Sequence, residues 1–128
     1  MKKILASTGS ALLLITTMAQ ADEKYSHFPS LDAPNTSVAL CNLAKFNEKL
    51  QTIANKKKLT PEDMVKVHEL TYTLENAVIR LQKDLKTIAV DLEKVHKASE
   101  HLDGKTVKGS GDKYLTATNL ILDQKACS

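Results

Sequence analysis

From Met64 to Leu102 the apolar positions alternate three and four apart without a slip. The stripe reads Met64, Val67, Thr71, Leu74, Val78, Leu81, Leu85, Ile88, Leu92, Val95, Ser99 and Leu102, and ten of these twelve are apolar. Such spacing places side chains on one face of a helix. A strict seven-residue repeat is in addition the pattern of a supercoiled partner seam. The start is well marked. Thr60-Pro61-Glu62-Asp63 supplies an N-cap, a proline at the first helical position and acids in the first turn, and Leu59 and Met64 occupy the staple positions. No Gly or further Pro follows Pro61 until Gly104. The pattern predicts a long central helix over about 60–103, which at 1.5 Å per residue is about 65 Å.

Two shorter helices flank it. Ala39, Leu43, Phe46, Leu50 and Ile53 form one stripe of a helix predicted from Thr36 to Asn55, with Asn35 or Thr36 as its cap. Asp103 to Gly111 reads as a Gly- and Lys-containing turn. A last helix is expected from about Asp112 to Lys125, turning Tyr114 or Leu115, Thr118, Ile121 and Leu122 inward. Before the first helix, Pro29 and Pro34 hold residues 22–35 as an extended arm, from which Tyr25, Phe28 and Leu31 could tuck against a bundle. The fold class is all-α, an antiparallel helical bundle, and residues 36–128 form a single helical domain. Two topologies fit. In one, the central helix is unbroken and the outer helices fold back along its two halves. In the other, the chain reverses at polar Gln82-Lys83-Asp84 and makes a four-helix up-down bundle.

The first residues change the picture of where this domain works. Lys2 and Lys3 precede an apolar run around Leu12–Ile15, and Ala19-Gln20-Ala21 offers a small-x-small cleavage site. Residues 1–21 are therefore expected to be a signal peptide cut after Ala21, which directs the protein to the periplasm without a stable membrane anchor. The formal net charge is +3, and Lys2 and Lys3 supply two of those charges. The remaining domain is close to neutral and has no field to gather nucleic acid. In an oxidising compartment its two cysteines, Cys41 and Cys127, are expected to form a bridge.

Candidate chemistry is sparse. The stretch "MVKVHEL" is answered twenty-eight residues later by "LEKVHKA", so His68 and His96 sit at equivalent points of the repeat. On an unbroken helix they are about 42 Å apart and share nothing. Only the four-helix alternative would bring them to one level. Glu93-x-x-His96 has the spacing that di-iron bundles use, which makes His68, Glu93 and His96 the candidate metal ligands. The matching position before His68 holds Val65, and no second Glu-x-x-His exists. The cheaper reading is a valine filling the seam with a half-exposed histidine beside it. Neither cysteine stands in a Cys-x-x-Cys-His haem attachment context, and no nucleophile turn or oxyanion loop is present. No catalytic residues and no cofactor are assigned.

The segments "LTPEDMVKVHELTYTLENAV" (59–78) and "LEKVHKASE" (92–100) resemble the core signature of a family of small secreted proteobacterial proteins of unknown function. The resemblance spans roughly residues 43–122 and implies a helical periplasmic protein. A fainter one, in "NLAKFNEKLQTI" (42–53), is to the small periplasmic four-helix b-type cytochromes. Those ligate haem through a Met in the first helix and a His in the last. Here Leu43 stands at the Met position, and residues 104–128 contain no His. The expected function is that of a non-catalytic binding or structural module whose apolar seam takes a protein partner or a second copy. The alternative is a metal- or haem-binding bundle.

Overall fold

A computed structural model describes residues 27–123 and 127. The predicted signal peptide and its cleavage site lie outside the described residues. Three helices follow one another: α1 (Thr36–Ala54), α2 (Pro61–Glu100) and α3 (Gly104–Leu122). No strand occurs among the described residues. α2 passes through Gln82, Lys83 and Asp84 as regular helix, so the four-helix alternative is excluded. Its 40 residues make a rod of about 60 Å. α1 and α3 each pack on α2 and only slightly on one another, α1 along its first half and α3 along its second. The bundle is thus one long helix backed by two short ones.

Each helix begins for a local reason. The Asn35 side chain accepts from the Val38 N–H. Thr60 and Asp63 form a full capping box at α2, each accepting from the other's backbone N–H. Asp103 caps α3, accepting from the Thr106 N–H and hydroxyl at 3.1 and 2.6 Å. α2 ends in a tight reversal in which the Leu102 N–H bonds Ser99 O and the Asp103 N–H bonds Ala98 O. That paired closure is the Schellman arrangement, and it puts Leu102 in the left-handed region at φ 55°.

This turn corrects the expected one. Only residues 101–103 reverse the chain, and α3 starts at Gly104 rather than near Asp112. Glycines suggested a loop because they weaken helices. Here a capping aspartate and packing on α2 override them, and Ser110 is buried at the contact. Of the residues expected to face inward, Tyr114, Thr118 and Ile121 are half-buried, while Leu122 and Leu115, the alternative to Tyr114, are exposed.

The core lies in the first half. Phe46, Ile53 and Leu70 are buried together, and Phe28, Leu31, Leu50, Val67 and Leu74 pack around them. The described part of the arm, residues 27–35, docks along α2 and its polar backbone is bonded there, while Tyr25 lies outside the described residues. The Phe28 N–H donates to Glu69, the Leu31 N–H donates to the Thr73 hydroxyl, and that hydroxyl donates to Pro29 O. Asn76 donates to Leu31 O, Arg80 to Pro34 O, and His27 pairs with Glu69. Glu69, Thr73, Asn76 and Arg80 are three or four apart, so the arm runs along one flank of α2.

Cys41 and Cys127 form a disulfide with their Cα atoms 5.0 Å apart. It ties α1 to the chain beyond α3. Close by, Arg80 and Asp84 pair at 2.9 Å, and Asp84 accepts from the Thr36 hydroxyl at 2.7 Å. The beginning of α1 is thereby fastened to the middle of α2.

Candidate functional site: an uncovered apolar flank

The helix contact uses the heptad stripe only in part: Ile88 is buried, and Val67 and Leu74 pack at the edge of the core. The residues of α2 that are buried are Asp63, Leu70, Thr73, Ala77, Ile88 and Ala98, and of these only Ile88 belongs to the twelve-position stripe. In the first half the buried line of α2 runs through Leu70, Thr73 and Ala77, with Leu70 in the core shared with α1 and Thr73 bonded to the arm. A seven-residue repeat also drifts by about 20° per heptad on a straight helix, so it cannot face a straight partner throughout. The stripe is consequently left to one side. Val78, Leu85 and Leu92 are 44%, 52% and 46% exposed, and Leu102, expected to close the seam, stands almost wholly in solvent.

Exposed positions of the stripe line three open grooves in succession along α2. Thr71, Leu74, Glu75, Val78 and Ile79 line one open groove, and Ala89, Leu92, Glu93 and His96 line another farther along. Between them Leu85 forms a third with Tyr114, Leu115, Thr118 and Leu122 of α3. At about 100° per residue, Val78 lies about 140° round the helix from Thr73, which holds the arm. The arm therefore closes one flank of the first half, and no described residue closes the other. The seven-residue spacing points to a seam for a partner or a second copy, and does not show which residues of α2 the molecule's own helices cover. A second signal is size: Thr73, Ala77 and Ala98 are buried small residues of α2 at which neighbours can come close.

The metal-ligand candidates stand apart from one another. The Tyr72 hydroxyl meets His68 Nε2 at 3.0 Å with the rings edge to face at 5.0 Å. Glu93 pairs with Lys97 at 3.0 Å, and His96 lies 3.4 Å from Glu100. With α2 unbroken, His68 and His96 are about 42 Å apart in one molecule. Among the described residues, no group of three or more His, Cys, Asp or Glu side chains is arranged to hold a metal ion.

The perturbed acids serve the scaffold. Asp63 is lowered to about 2, first by its hydrogen bond from Lys56 at 2.6 Å and then by the Thr60 N–H. Arg80 holds the Asp84 carboxyl below the usual carboxylate range, and Thr106 does the same for Asp103. Each of these carboxylates fastens a helix start, and none faces the apolar flank. No described helix is long and apolar enough to cross a membrane.

Fold and surface together define an all-α protein built as a thin, disulfide-tied bundle around one long helix with an open apolar flank. The chain belongs to the family of unknown function DUF6746, whose model matches residues 1–123. Comparison with curated proteins and with solved structures gave no match.

Proposed function

We propose that this protein is an exported, non-catalytic binding module that presents the open flank of α2 to a helical partner. The observation that carries the reading is the row Leu74, Val78, Leu85 and Leu92. Its members recur four, seven and seven residues apart along the edge of the packed face, and while Leu74 touches the core, Val78, Leu85 and Leu92 are exposed. Leaving large aliphatic side chains in water forgoes about 25 cal/mol for each Å² that a partner would cover. An exposed apolar row of this kind marks an interaction surface. Export is supported by the basic, apolar and small-x-small order of residues 1–21, and by a disulfide suited to an oxidising compartment.

A photo-crosslinking residue at exposed Gln82 in the full chain, expressed and irradiated in the periplasm, tests the reading. One discrete adduct is expected, lost when Val78→Ser and Leu92→Ser are introduced, with helicity and thermal stability unchanged. Absence of any adduct, or collapse of the fold on those two substitutions, overturns it. Mass spectrometry of the purified protein is expected to find a chain beginning at Asp22. A Soret band or stoichiometric metal that is lost on His68→Ala or His96→Ala would instead establish the metal- or haem-binding alternative.

A further inference from the structure

We infer that the occupant of the open flank is a second copy of this chain, running antiparallel across the middle of α2. The inference rests on the proposed binding role of that flank and names its partner. The first argument is thickness. Through its second half the molecule is only two helices deep, α2 and α3, and a two-helix layer has one interface and an apolar side left over. Laid antiparallel against the first half of a second copy, where α2 is backed by α1, it gives the four-helix cross-section in which apolar stripes are commonly buried.

The second argument is the order of charges beside the apolar row. Glu75 and Lys86 are exposed on the same edge of α2, and among the described residues neither has an ion-pair partner. They are equidistant from the midpoint of Pro61–Glu100. Turning a second copy about that midpoint places Glu75 opposite the second copy's Lys86, and by symmetry the pair occurs twice. The same operation sets His68 against the second copy's Glu93. A parallel, in-register pairing would set Glu75 on Glu75 and Lys86 on Lys86, which is repulsive.

The apolar row obeys the same symmetry. Leu74 falls between the second copy's Leu85 and Ala89, and Val78 falls beside its Leu85. Leu74 to Leu92 spans about 27 Å, and a strip about 10 Å wide gives roughly 270 Å² per copy, the scale of a weak interface. Leu115 and Leu122 border the groove and add to this area, which suits a dimer that forms only at micromolar concentrations and above.

Light scattering with size-exclusion chromatography on the purified, disulfide-bonded mature protein tests this. A dimer is expected in the range of about 10–100 μM, with Glu75→Lys and Lys86→Glu each weakening it about 10-fold, since each turns two attractive pairs repulsive. The double variant Glu75→Lys/Lys86→Glu restores the attraction in reversed sense and is expected to return dimerisation to within about 3-fold of the original. Both substitutions lie on exposed helix positions, and circular dichroism checks that helicity is kept in all three variants. A monomer at every concentration, or single substitutions without effect, or a double variant that stays as weak as the singles, overturns the antiparallel dimer. A Gln82 adduct of a mass other than twice the chain also overturns it, while leaving the binding role of the flank standing.

Discussion

The two halves of α2 are built differently. In the first, three elements converge: the docked arm, α1 and α2 enclose Phe46, Ile53 and Leu70, and polar side chains of α2 bond the arm's backbone. In the second, α3 alone covers α2, the buried side chains are small or few (Ile88, Ala98, Ser110), and Val90, Leu92 and Leu115 remain exposed. Stability follows buried apolar area. The first half therefore has a core of its own, while the second depends on its covalent tie and, in our proposal, on a second copy. Folding and binding have been divided between the halves of one helix.

The largest expected effect comes from the tie. Replacing Cys41 and Cys127 by Ser frees a loop of sequence separation 86. The chain-entropy model puts the loss at about 4.5 kcal/mol. Amide exchange is expected to quicken more in α3 than in α1, and equal loosening of both would erase the proposed contrast. Next, Phe46→Ala is expected to cost about 4 kcal/mol and Ile88→Ala about 2, by denaturant titration, because the surroundings of Phe46 are fuller. Similar losses at the two sites would show the second half to be as well packed as the first.

Smaller and of opposite sign is a repair of α3. A methyl group at Gly109 or Gly111 would meet nothing within 4 Å. Both lie inside a helix, so Gly→Ala at each should stabilise by about 1 kcal/mol and narrow the gap between the halves. The smallest effect is acid sensitivity at the start of α2. The Asp63 pKa is lowered from 3.8 to about 2 in the folded chain. A depressed carboxylate contributes stability that is complete above the unfolded value and is lost as pH falls through the folded one. Helicity at the first turn of α2 should therefore weaken between about pH 4 and pH 2, and Asp63→Asn should remove that dependence.

Much of the architecture was legible from local signals. The Thr60 capping box, the unbroken three-four spacing and the absence of Gly and Pro specify α2 almost to the residue, because each acts within a turn or two of chain. The Asn35 cap and the stripe through Ala39, Phe46 and Ile53 did the same for α1. The glycines at 104, 109 and 111 misled, since intrinsic helix cost is small beside packing on a neighbour. The arm had two open readings, and only the hydrogen-bonding side chains of α2 chose between them.

What the sequence determined by itself was periodicity: three helices, their caps and an aliphatic stripe with a seven-residue beat, all set by interactions between residues at most a few positions apart. What the tertiary structure decided was rotation. The buried line of α2 runs through Leu70, Thr73, Ala77, Ile88 and Ala98, so the stripe lies at the edge of the packed face, with Val67, Leu74 and Ile88 covered and Val78, Leu85 and Leu92 in solvent. A pattern along one helix records which residues share a face, and only the neighbours that pack around it decide whether that face is covered.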